Sequence, residues 1–218
     1  MSAGLLQVFP PIRHAFAYGS SILCKAPDPT RQLDFIFLVD SSLAWHQANL
    51  ATNPQHYSAK AQALGADAIV KSASAAAGFH YNPYVALQGQ MCKYGVVDKA
   101  RAIADIKDWD TFYLSARMHK PVLDLISDSE VVQCQSLNLQ RAVAVGLLTA
   151  PQTMSEEDLY LHISQLSYLG DPRLEAAGKL EAMVADNLSA FQQMYRPVFH
   201  QLRSAVGFEA GVVEVSSR

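Results

Sequence analysis

Two short stretches of this chain carry residue types suited to phosphate and a metal ion. Tyr18-Gly19-Ser20 closes an apolar run that starts at Ala15. A glycine where a strand turns toward a helix lets the backbone approach phosphate closely. The helix start beyond it offers free N–H groups and a positive dipole end. Ser20 adds a hydroxyl donor. Gly-Ser pairs also form ordinary turns, so the pattern takes its meaning from what faces it. Asp34 is the candidate partner, since it opens the strand Leu33 to Val39 and is followed by Phe35-Ile36-Phe37. A carboxylate at the start of an apolar strand needs a partner, because burying it unpaired is costly. A divalent cation is one such partner. Magnesium takes one or two protein carboxylates and completes its shell with water and substrate phosphates. Asp40 falls on the same strand face, but six residues of strand put it about 20 Å from Asp34. It is assigned to the turn that follows.

Cations come next. Lys93 lies in the segment Met91 to Val97 and either reaches the same phosphates or is a solvated strand-edge lysine. Arg117, His119 and Lys120 form a compact cluster ending at Pro121. It is either an anion site or a charged helix end countering the dipole. Asn82, before Pro83, lines a nucleotide cleft or forms a turn. His46 and His56 are read as hydrogen-bonded helix-end residues rather than ligands. Asp171 and Arg173 are read as an ion pair locking the helical part. The apolar stripes of the last helices are read as core.

The elements that must position these residues fall into two parts. Residues 1–97 mix strands and helices: a strand to Tyr18, a loop at Pro27-Asp28-Pro29, and the strand Leu33 to Val39. A helix follows, capped by Ser41 or Ser42 and ended by Asn53-Pro54, then another from Ser58 to Ser74 closed near Gly78. Phe79 to Leu87 and Met91 to Val97 form a hairpin across Gly89. Residues 98–218 read as almost all helix. Asp98 caps one helix, Ser129 to Leu148 forms another, and Ser155 opens a third through a capping-box pattern with Asp158. A last helix runs from Leu174 to Tyr195 with Gly178 as its weak point, and the tail beyond Gly207 is expected to be mobile. The fold class is therefore α/β, a mixed sheet with helices plus an all-helical second domain, with the substrate cleft between the two.

Composition limits the function classes. A chain of 218 residues builds a core without disulfides or structural metal. Its net charge of −3 argues against bulk binding of nucleic acid, which needs a basic face. The three cysteines, Cys24, Cys92 and Cys134, are far apart and read as buried thiols in a reducing compartment. No apolar run is long enough to cross a bilayer, and Met1 to Pro11 lacks the layout of a secretory or mitochondrial leader.

Gly-Ser, a spacer, then Asp in a strand resembles the nucleotidyltransferase fold, in which a second acid follows two residues later. Ile36 stands at that position here. A longer succession is more specific: Tyr18-Gly19-Ser20, Leu33 to Phe37, Trp45-His46, Asn49-Leu50, Asn53 and His56-Tyr57-Ser58 come first. Tyr81-Asn82-Pro83, Lys93 to Val96, His119 to Val122, Asn138-Leu139, Leu166-Ser167-Tyr168, Gly170-Asp171 and Arg173 follow. In this order, from about Phe9 to about Tyr195, the chain resembles the mitochondrial phosphatidate cytidylyltransferase family. It departs in having Ser21 where that family usually has a second glycine, Ser115-Ala116-Arg117 for Ala-Gly-Arg, and a short C-terminal part.

The resemblance implies that CTP and phosphatidic acid react to CDP-diacylglycerol and pyrophosphate, for phosphatidylglycerol and cardiolipin synthesis. It implies Mg2+ on Asp34, with Gly19 and Ser20 at the triphosphate. Tyr18, Asn82, Lys93, Arg117, His119 and Lys120 are the other nucleotide and phosphate contacts. It further implies peripheral membrane contact: on the matrix side of the mitochondrial inner membrane in a eukaryote, in the cytoplasm or on the inner face of the membrane in a bacterium. A nucleotidyltransferase with a different acceptor, or an interaction protein that keeps the fold without turnover, are the alternatives.

Overall fold

The computed structural model describes residues 3–23, 31–149, 151, 153–168, 178–202, 206–209 and 211–215. Cys24, the Pro27-Asp28-Pro29 loop, Asp171 with Arg173, and the first residues of the helix expected from Leu174 lie outside them. The chain divides into two compact units, residues 1–113 with 122–132 and residues 114–121 with 133–218.

The first unit is built on a five-stranded mixed sheet. Its strands are β1 (His14–Tyr18), β2 (Leu33–Val39), β3 (His80–Leu87), β4 (Gln90–Asp98) and β5 (Leu123–Ile126), in the order β3-β4-β2-β1-β5. β2 is central and pairs parallel with β4 and antiparallel with β1. That position explains its sequence: a strand covered on both faces reads as a continuous apolar run, and Phe35 to Val39 are all buried. Between β2 and β3 lie α1 (Ser42–Thr52) and α2 (Ala59–Ser74). Ser41 and Ser58 cap them, each hydroxyl accepting from a backbone N–H three residues on. α2 is interrupted at Gly65, whose φ of +75° is non-helical. α3 (Lys99–Asp108) follows β4 and ends on Trp109 in a left-handed conformation. Asp98 precedes it without capping it; its Oδ1 accepts from the Ser42 N–H at 2.7 Å instead.

One sheet face holds an aromatic core. Phe37 and Tyr94 stack at 5.2 Å, and Phe9 and Trp45 close over them. A buried polar network lies at its edge. Asn49 Nδ2 donates to the hydroxyls of Tyr57 (2.9 Å) and Tyr94 (3.0 Å), and Asn53 Nδ2 donates to Asn49 Oδ1 at 2.8 Å. His46 and His56 meet Tyr57 and Tyr94 through their Nδ1 atoms at 2.8 and 3.0 Å. Both histidines are therefore structural, as read from the sequence. Burial pushes the Tyr57 hydroxyl up to about 12.

In the second unit α4 (Ser129–Thr149) continues, followed by α5 (Glu156–Leu166), α6 (Lys179–Asp186) and α7 (Leu188–Gln201). Ser155 caps α5 by accepting from the Asp158 N–H at 3.0 Å. Asp158 is too short to reach back to the cap N–H and bonds the Ser155 hydroxyl at 2.6 Å. Gly178, with φ +87°, stands at the start of α6, and a turn at Asn187 separates α6 from α7. Buried Glu156 joins α5 to α7, accepting from Tyr160, Gln192 and both Nε and Nη2 of Arg196 at 2.6–3.0 Å. Burial pushes that carboxyl up, but these donors outweigh it and hold it below the usual range.

The unit is not all helix. β6 (Thr153–Ser155), β7 (Val206–Glu209) and β8 (Val212–Val215) form a second, antiparallel sheet in the order β6-β8-β7. The tail expected to be mobile is thus a hairpin. Its strands of three or four residues are too short to show alternation, and a partner about sixty residues upstream is invisible to local pattern.

Burial also sets a pH response. Burial holds His46 at about 3, and lowers His14, His56 and His80 as well. The unfolded chain takes up these protons near the ordinary value of about 6.5, so the folded state binds fewer protons between the two. Stability is complete above about pH 6.5 and falls as the pH drops through that window, by roughly 1 kcal/mol for each pH unit and fully buried ring. Urea midpoints at pH 7.5 and 5.5 measure this; the lower midpoint is expected at 5.5, and equal midpoints would contradict neutral, buried imidazoles.

Candidate active site

Register brings the key residues together. Tyr18 lies opposite Asp34 in the β1–β2 pair, and Asp34 lies beside Lys93 in the β2–β4 pair. Directly paired residues share a face, so Tyr18, Asp34 and Lys93 form a row across three strands. Gly19 follows Tyr18 at φ +85°, and a Cβ built on it would stand 3.6 Å from Asp34 Oδ2. The turn continues with the N–H groups of Ile22 and Leu23 donating to the Gly19 carbonyl at 3.2 and 3.3 Å. Ser20 is exposed beside it. The glycine is required for its left-handed backbone, which L side chains rarely adopt.

Lys93 Nζ stands 3.9 Å from Asp34 Oδ1, with the two side chains 35% and 30% exposed. The same ammonium lies 4.8 Å over the ring of Tyr81. Ser21 Oγ, next to the turn, is buried with no hydrogen-bond partner. A half-exposed carboxylate, an open glycine turn and an unsatisfied hydroxyl fit a magnesium ion carried in with a triphosphate, in which the protein supplies few ligands. No cage of three or more His, Cys, Asp or Glu side chains exists among the described residues. Ile36, where a second acid was sought, is fully buried under the sheet face. Asp40 belongs elsewhere, in an exposed ion pair with Arg13 at 2.7 Å.

Asn82 does not join the row. It pairs with Tyr94, one residue out of phase with Lys93, and so points to the other face, where it is 2% exposed beside the buried polar network. Strand alternation is the physical reason. Neither does His119 offer its ring to an anion: it is fully buried, with Nε2 at 3.0 Å from Asn138 Oδ1. Tyr195 donates to its carbonyl at 2.7 Å, and Asn138 Nδ2 donates to the Ser115 carbonyl. His119 is a hub of the second unit.

Arg117 and Lys120 flank that hub within the second unit. Lys120 Nζ donates to Ser167 Oγ at 2.6 Å and sits 4.4 Å over the Tyr168 ring. Burial, with Arg117 adding repulsion, brings its ammonium down to about 8. Sequence reasoning passed over Ser21 and Tyr81. Ser21 was visible only as a departure from a glycine, and Tyr81 only as part of Tyr81-Asn82-Pro83.

Gly19→Ala is expected to cost about 1 kcal/mol, because an L side chain at this φ is strained. The urea midpoint measures it, and an unchanged value would mean that the turn relaxes to negative φ.

A family model described as "Phosphatidate cytidylyltransferase, mitochondrial" matches residues 2–214. A protein of that name from Dictyostelium discoideum is 35% identical over 223 residues, covering 90% of this chain and 52% of the relative. Relatives with the same name from Schizosaccharomyces pombe and Homo sapiens are each 36% identical, covering 87% and 86% of this chain and 50% and 43% of their own lengths. The chain spans about half the length of these curated relatives. With a matched region that takes in the Gly19 turn, Asp34, Lys93 and the Arg117–Lys120 cluster, this chain belongs to the mitochondrial phosphatidate cytidylyltransferase family.

Proposed function

We propose that this chain transfers a cytidylyl group from CTP to phosphatidic acid, giving CDP-diacylglycerol and pyrophosphate. The observation that carries the reading is the meeting of the Gly19 turn, Asp34 and Lys93 on one sheet face in a member of this family. A phosphatidate oxygen forms the new bond to the α-phosphorus of CTP, and the bond from that phosphorus to the bridging oxygen breaks as pyrophosphate leaves. The nucleophile is already anionic near neutral pH, so the main barrier is repulsion between two anions.

Each residue addresses that repulsion. Asp34 would hold Mg2+, which when bound neutralises phosphate oxygens and fixes their geometry. Gly19 and Ser20 line the triphosphate with backbone N–H and hydroxyl donors, and Tyr18 borders the same row. Lys93 supplies a fixed positive charge to the phosphates. Arg117 and Lys120 of the second unit are the proposed contacts for phosphatidate or departing pyrophosphate. The product would feed phosphatidylglycerol and cardiolipin synthesis.

We further propose peripheral contact with the membrane that holds the lipid. In a eukaryote this is the matrix side of the mitochondrial inner membrane; the relatives' names are mitochondrial. Among the described residues no helix is long and apolar enough to cross a membrane.

Purified protein, CTP, Mg2+ and phosphatidic acid vesicles should yield CDP-diacylglycerol. Asp34→Ala is expected to lower the rate at least a hundredfold, on the scale of losing one group that stabilises transition-state charge. Full activity in that variant would remove Asp34 from the metal site. The buried Ile36 favours a second reading, a fold kept for binding alone; CTP binding without any product from a panel of acceptors would support it.

A further inference from the structure

The contacts around Lys93 form a device that the proposed chemistry does not use. Tyr81 pairs with Gly95 across β3 and β4, and its ring packs against that glycine. A Cβ on Gly95 would stand 2.6 and 2.9 Å from Tyr81 Cε1 and Cζ, and 3.1 Å from Ile36 Cδ1. Any side chain there would lift the ring. Tyr113 donates its hydroxyl to that of Tyr81 at 3.1 Å, and Phe79 stacks on Tyr81 at 6.1 Å. The ring is thus fixed from below, from the side and at its tip.

Lys93 Nζ rests 4.8 Å from the centre of this ring. Its distance to Asp34 Oδ1, 3.9 Å, is beyond hydrogen-bond range. Two attractions therefore act on one flexible ammonium: the carboxylate, which would draw it into a direct pair, and the ring face, which holds it aside. A closed Lys93–Asp34 pair would remove the charge offered to phosphate.

We propose that Tyr81 is a positioning residue, packed on Gly95 and anchored by Tyr113, that holds Lys93 beside Asp34 without letting the two close to hydrogen-bond distance. The inference rests on the reading of this face as the CTP–magnesium site. Tyr81 touches no reacting atom; it acts through Lys93.

The test is a double-mutant cycle on Tyr81→Leu and Lys93→Ala, each variant checked for folding by thermal melting. Two quantities are read: the dissociation constant for CTP with Mg2+ by calorimetry, and kcat/KM for CDP-diacylglycerol formation. Tyr81→Leu is expected to weaken both roughly tenfold in the parent chain, the scale of one cation–π contact, and to add nothing in the Lys93→Ala chain. Tyr81→Phe, which keeps the ring, should retain most of both. Gly95→Ala should match Tyr81→Leu and replaces it should that variant not fold. Equal losses in both backgrounds, or a Tyr81→Phe as impaired as Tyr81→Leu, overturn the inference. Absence of product with CTP still bound overturns the lipid reaction alone, since the binding cycle continues to decide the role of Tyr81. A parent chain that binds no CTP overturns both.

Discussion

The pairing register of three strands is the constraint on which the rest depends. Tyr18, Asp34 and Lys93 are separated by 16 and 59 residues, and they share a face only because β1–β2–β4 align them as direct neighbours. A slip of one residue in either pair would turn one of them into the core. The apolar filling of β2 makes such a slip costly, because Phe35 and Phe37 belong to one packed face and Ile36 and Leu38 to the other. The same alternation that presents Asp34 excludes Asn82.

Behind that face, the polar network of Asn49, Asn53, Tyr57 and Tyr94 ties α1 and the turn after it to β4. Tyr94 is the immediate neighbour of Lys93 on the other side of the strand. Its hydroxyl receives from Asn49 and meets His56, so β4 is pinned by directional bonds as well as by ring packing. A buried network of this kind specifies one arrangement when its members are satisfied. The strand that carries the proposed phosphate cation is thereby held rigidly at its core side, while Tyr81 and Gly95 shape its open side.

The second unit follows the same logic with different parts. Three hydrogen bonds, each with at least one buried partner, join segments distant in sequence: His119 with Asn138, Tyr195 with the His119 carbonyl, and Glu156 with Arg196. The two bonds to His119 hold the short 3-10 turn Arg117–His119, which carries Arg117 and leads into Lys120. A cluster of cations close in sequence is thus divided by burial, with the middle residue serving the fold.

Local pattern sufficed for β1, β2, the β3–β4 hairpin and both serine-capped helices, because those signals are periodicity, caps and turn residues that act within a few positions. The ordered motifs also sufficed to indicate the family. Tertiary structure alone decided which side chains face one another: that Asn82 and His119 turn inward, that Tyr81 reaches over Gly95 to Lys93, and that β6, β7 and β8 assemble across some sixty residues. The physical reason is that burial and strand pairing are set by partners remote in the chain, whose identity no local spacing encodes.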